Sequence, residues 1–239
     1  MRAGLINAGL KMNRAAGSVH LLTALLLGAA AEVLCVEISC SDTVLVSAEH
    51  GSDVVEDVCE AAQAAGDFLR TAGFDTSARV RIKLVDTLPE RFGRDALACY
   101  VHSERCVYLL TPSSSLARTG PVAALTPRFP YSSWVSHEVA HAIAAANFRV
   151  PSPTIQAHEY IAYVTMFATM PSTSRDRLLG AFAGAGFETE EQITATLFLL
   201  APNQFGAEAY RHYRSLGRSG PAFLRQILSG QALGQPDGW

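Results

Sequence analysis

Residues Ser136 to Ala142 read S-H-E-V-A-H-A, and within them His137, Glu138 and His141 make the pattern H-E-x-x-H. A helix turns about 100° per residue, so His137 and His141 stand one turn apart on the same face. Two neutral imidazoles at that separation can take two corners of a tetrahedral zinc, each at roughly 2.0–2.1 Å from the metal. Glu138 points to the side of that pair. From there it can accept a proton from a water activated by the metal. The competing reading is a helix with two unrelated surface histidines, because a short motif needs its context.

The context is helical. Ser132 and Ser133 are candidate N-caps after Pro130, and Trp134 through Ala146 contains neither Gly nor Pro. Asn147 and the Pro151-Ser152-Pro153 turn close the segment, and the run Ala142-Ile143-Ala144-Ala145-Ala146 suits tight packing. A zinc hydrolase also needs a third protein ligand and one open position. The continuation H-x-x-G-x-x-H fails, since Ala144 and Asn147 occupy the positions that need Gly and His. The next segment, Thr154 to Met170, is apolar nearly all round and predicts a buried helix, with Pro153 in its first turn and Ser152 as its cap. Glu159 is its only acidic residue and shares a face with Ala162, Tyr163 and Met166. An unpaired carboxylate there is costly, and a cation is the simplest remedy. His158 competes as the third ligand, and an ordinary salt bridge to Glu159 is a further alternative.

His137-Glu138-Val139-Ala140-His141 followed by Glu159 on a second helix resembles the gluzincin clan of zinc metallopeptidases. The motif covers residues 130–170, and the order of elements extends the likeness more loosely over 43–230. The resemblance implies one Zn2+ per chain on His137, His141 and Glu159, with Glu138 as general base. It also implies a Tyr or His from a later helix that stabilises the oxyanion. The stretch Ala207 to Leu216 (A-E-A-Y-R-H-Y-R-S-L) offers Tyr210 first and His212 second. Core packing is the alternative for Tyr210, which shares a helix face with Tyr213. The implied activity is peptide-bond hydrolysis on a peptide or protein substrate. The alternatives are a catalytically inactive zincin-like envelope protein that binds a peptide or protein partner, and an exported domain without metal.

The elements that must position these residues predict an α+β, zincin-like fold. It has a small mixed β-sheet, an N-terminal helix, the H-E-x-x-H helix and a mostly helical C-terminal lobe. Strands are expected at 43–49 and 79–86, where Val80, Ile82 and Leu84 alternate with Arg79, Arg81 and Lys83. A helix is expected over 52–72, capped by Ser52 or Asp53 and stopped by Gly73. A hairpin follows between Cys99 and Cys106, with 106–110 as the edge strand that would bind an extended peptide. Residues 111–130 read as a long loop, and helices are expected at 174–183, 189–200, 203–216 and 220–229.

Residues 1–31 carry Arg2, Lys11 and Arg14, then an apolar run ending in Ala29-Ala30-Ala31. That is the form of a secretory signal peptide, with an uncleaved anchor as the alternative. The remaining 32–239 form one domain, a sheet lobe with the motif helix (32–150) and a helical lobe (151–239). Removing the signal leaves 16 basic against 22 acidic residues, a net charge of −6. This balance, without a basic cluster, argues against nucleic acid and anionic membrane as partners. Five cysteines fit an oxidising, secreted or periplasmic location. The expected disulfides are Cys99–Cys106 across the hairpin and Cys40–Cys59, with Cys35 left over or pairing with one of the latter two.

Overall fold

The computed structural model describes residues 36–48, 54–93, 96–119 and 129–234. The expected signal segment, Cys35 and the expected Ser52 or Asp53 cap lie outside them. Val33–Trp239 form one compact unit. Its architecture is mixed α and β. Strand β2 (Val44–Ala48) buries Val44, Val46 and Ala48, and helix α1 (Val55–Thr71) then crosses over to β3 (Val80–Val85). In β3 Val80, Ile82 and Leu84 face the core and Arg81 and Lys83 face outward, the period-2 pattern of a half-buried strand. Gly73 ends the α1 segment with φ 91°, a backbone state that glycine adopts without strain.

Strands β4 (Ala98–Val101) and β5 (Cys106–Leu110) pair as the expected hairpin. With β1 at Val36–Ser39, the sheet order is β1-β2-β3-β5-β4, with β2, β3 and β5 parallel and both edges antiparallel. The free edge on the hairpin side is therefore β4, not the 106–110 strand. Residues 106–110 are the more apolar half of the hairpin, and they are drawn between β3 and β4. Strand β1 (Val36–Ser39) has no buried position, so no alternation marked it in advance.

The helical part also departs from expectation in detail. Helix α2 (Pro112–Thr119) occupies the start of the stretch read as a loop. Helix α3 (Tyr131–Asn147) begins before the two serines, with Pro130 at its N-cap and Ser133 Oγ donating back to the Pro130 carbonyl at 2.5 Å. Helix α4 (Ile155–Thr169) is capped by Thr154, whose Oγ1 accepts from Ala157 N at 3.3 Å, rather than by Ser152. Then come α5 (Ser172–Ala181), a 3-10 turn at Glu190–Gln192, α6 (Ala195–Leu200), α7 (Pro202–Ser215) and α8 (Gly220–Ser229). Helices α1 and α3 pack on the sheet and on α4, and α7 packs on α4 from the other side.

Cys40 and Cys59 form a disulfide with a Cα separation of 5.2 Å, tying the β1–β2 turn to α1. Cys99 and Cys106 are free. The register explains this: Cys99 lies opposite Tyr108 and Cys106 opposite Val101, so the two thiols are diagonal neighbours. Diagonal positions sit about 7–8 Å apart, beyond disulfide reach. Closing a loop of 19 residues with Cys40–Cys59 stabilises the fold by roughly 3 kcal/mol on the chain-entropy estimate. The double variant Cys40→Ala/Cys59→Ala should lose about that much in denaturant unfolding, while an unchanged midpoint would show that the crosslink constrains nothing. Among the described residues no helix is long and apolar enough to cross a membrane.

Candidate metal centre

Helices α3 and α4 lie against each other, and this packing sets His137 and His141 opposite Glu159. The two Nε2 atoms are 3.1 Å apart. One Glu159 oxygen lies 3.4 Å from His137 Nε2 and the other 3.6 Å from His141 Nε2. Ligands about 2.0–2.1 Å from a tetrahedral ion stand roughly 3.3–3.4 Å from one another. The three separations bracket that edge length, so one ion fits at the apex of the triangle. It is the only such group of His, Cys, Asp or Glu found among the described residues. His158, the competing ligand, instead packs its ring on Phe148 at 4.5 Å and stays 6.0 Å from the His141 ring.

Glu138 is buried beside the cluster, and its Oε2 accepts a hydrogen bond from the backbone N–H of Tyr100 at 2.7 Å. Leu110 N–H bonds the Leu97 carbonyl, so residues 97, 99 and 101 face β5 and the backbone groups of Ala98 and Tyr100 point outward. The free edge of the sheet thus holds the carboxylate. Burial pushes the Glu138 carboxyl up to about 7, with Glu159 adding to it and His137 and the Tyr100 N–H opposing.

Burial works against a charge on both histidines, but with opposite outcomes. The bond to Glu159 and the charges of Glu159 and Glu138 overcome it at His137, whose pKa is raised. Burial and the His137 charge bring His141 down to about 3 despite Glu159. Burial also opposes the charge of Glu159, yet the hydrogen bond from His137 and the neighbouring imidazoles keep it an ionised carboxylate. In the absence of a metal, the cluster favours a proton on His137, beside Glu159, over one on His141. The Cys99 thiol borders the cleft and is raised to about 11 by burial and by Glu138, so it stays protonated there, and it is not one of the clustered ligands.

The cleft around the cluster has a volume of about 520 Å³. Neither Tyr210 nor His212 lines it. Tyr210 stacks on Phe167 with ring centroids 5.5 Å apart and accepts from Arg214. His212 Nδ1 pairs with the Tyr160 hydroxyl at 2.7 Å, and its ring packs on Phe223. Both are core contacts, the outcome that helical aromatic spacing commonly gives. Tyr163, one turn after Glu159 on α4, does line the cleft, as does Tyr100 from the sheet edge. The Tyr163 ring meets the His137 ring edge-to-face at 4.7 Å, and its hydroxyl has no hydrogen-bond partner among the described residues. A side chain at Gly206 on α7 would run into that ring, so the glycine makes room for it. The sequence signal was the shared helix face with Glu159, which identifies a neighbour and not a role.

Comparison with curated proteins and with solved structures gives no match. A family profile matches residues 44–236, which takes in every element from β2 to α8 and all the residues of the cluster. The chain therefore belongs to DUF6639, a family of unknown function.

Proposed function

We propose that this protein is an exported, zinc-dependent metallopeptidase of gluzincin type with a zincin-like fold. In this reading Glu138 is the general base for hydrolysis of a peptide bond. The observation that carries the proposal is the His137–His141–Glu159 triangle at ligand spacing, with a buried carboxylate fixed beside it by the sheet edge. Two imidazoles and one carboxylate, leaving a fourth position open, are the donor set of a catalytic zinc. When bound, zinc supplies Lewis acidity toward the substrate carbonyl and makes a water acidic enough to attack at neutral pH.

The chain's own groups do the rest. A carboxyl with a pKa near 7 suits Glu138 both to accept a proton and to return it to the leaving nitrogen. The outward N–H and carbonyl of Ala98 and the outward carbonyl of Tyr100 can pair with an extended peptide and lay it across the cluster, the Tyr100 N–H being held by Glu138. The Tyr163 hydroxyl is the donor we assign to the charge that develops on the carbonyl oxygen. Export is supported by the Cys40–Cys59 disulfide, which persists in oxidising compartments.

The direct test is elemental mass spectrometry of the purified protein followed by a peptide-library digest. About one zinc per chain and cleavage that a chelator abolishes are expected. An absence of metal after zinc is supplied would sink the proposal. Zinc must displace the His137 proton, so affinity should be full above the raised His137 pKa and fall about tenfold per pH unit below it. A competition titration with a chromogenic chelator between about pH 5 and 8 reads this slope, and a flat profile would contradict it. Tyr163→Phe should lower kcat by about 10²- to 10³-fold with zinc content unchanged, the loss typical of one oxyanion donor. Full kcat in that variant would remove Tyr163 from the reaction.

A further inference from the structure

The cleft does not end at the cluster. Tyr100 and His102 line it and also line a second cavity of about 570 Å³, bounded by Arg79, Arg81 and Arg105. Its floor is the alanine run of α3, through Ala142, Ala145 and Ala146, whose small side chains leave the space open. Three arginines and no Asp or Glu are among the residues that line it, in a chain with more acidic than basic residues.

Arg79 and Arg105 are exposed and have no carboxylate partner among the described residues. Arg81 donates to the backbone carbonyl of Glu104, while the Glu104 carboxylate is taken by Arg91 at 2.6 Å and the Tyr108 hydroxyl at 2.5 Å. Arg105 also sits in the β4–β5 turn with φ 48°, a left-handed state in which hairpins favour glycine. A glycine would adopt that state with less strain. Its charge reaches the Tyr100 phenol, whose pKa burial raises and Arg105 pulls back.

We propose that this arginine-lined cavity is an anion subsite of the cleft that takes an acidic side chain of a bound peptide. Guanidinium groups suit it because their forked donors match a carboxylate. The inference rests on the peptidase reading for the path of the peptide along β4. A peptide added antiparallel to β4, the more stable pairing per residue, has its N-terminal residues beside the end of β4 that leads to Arg105. The acidic residue therefore lies N-terminal to the bond held at the cluster.

The test is calorimetric binding of decapeptides to the zinc-loaded Glu138→Gln protein, in which bound peptide is not consumed. The peptides are identical except for a single Glu or Gln walked along them. At one position Glu should bind about tenfold tighter than Gln, a preference that shrinks as salt rises from about 0.05 to 0.5 M. The double variant Arg79→Ala/Arg105→Ala should bring the ratio below about twofold, and both sites are exposed, so folding is not at stake. Equal binding of Glu and Gln peptides at every position overturns the subsite, as does a preference that survives the double variant. If the unsubstituted protein cleaves no peptide yet keeps the arginine-dependent preference, the peptidase reading falls and the anion subsite stands. Cleavage without any acidic preference removes the subsite and leaves the peptidase reading in place.

Discussion

Glu138→Gln is expected to lower turnover by about 10²- to 10⁴-fold while zinc stays at one per chain, the range for losing a positioned general base. The substitution changes little besides proton chemistry. Glutamine has nearly the same shape, its amide oxygen can still accept from the Tyr100 N–H, and residue 138 is not one of the three clustered ligands. Stability should hold, because a carboxylate that burial disfavours is replaced by a neutral group. Steady-state kinetics on a cleaved library peptide, with metal content measured on the same samples, reads both halves. Retained turnover would place the base elsewhere. Unchanged peptide binding with no turnover in either form would describe a binding protein instead of an enzyme.

Glu159→Ala should have the larger effect on the metal. Partners that only orient a ligand commonly contribute 10- to 100-fold to affinity, so loss of a ligand itself should exceed about 100-fold. The readout is thermodynamic as well as analytical. Zinc at about 100 times its Kd should stabilise the unsubstituted protein by roughly 2.7 kcal/mol, and that gain should vanish in the variant. Zinc held at full affinity without Glu159 would bring His158 forward, which would require its ring to leave Phe148.

Much of the centre was legible because its information is local. The two histidines are one helical turn apart in the sequence, and a helix of that composition leaves them few other arrangements. Glu159 was legible for a different reason: an apolar helix with one carboxylate advertises a charge that must be met. The tyrosine we assign as oxyanion donor was not legible. Tyr210, His212 and Tyr163 are all aromatic groups on buried helices, and only the packing of α7 on α4 decides which reaches the cleft. The hairpin shows the same division. Its strands and turn follow from alternation, but the order β3-β5-β4 is a tertiary choice, and so is the two-residue offset that keeps Cys99 from Cys106. The arginine cavity joins residues from β3, the hairpin turn and α3, three segments with no common motif.

The hydrogen bond from Tyr100 to Glu138 comes from the main chain. Every amino acid but proline supplies the same donor, so the bond that aims the carboxylate does not depend on the side chain at position 100. Part of what orients the Glu138 carboxylate is therefore written in geometry and leaves no letter in the sequence. A relative could keep it intact with an unrelated residue there, and a search by residue identity would pass over it.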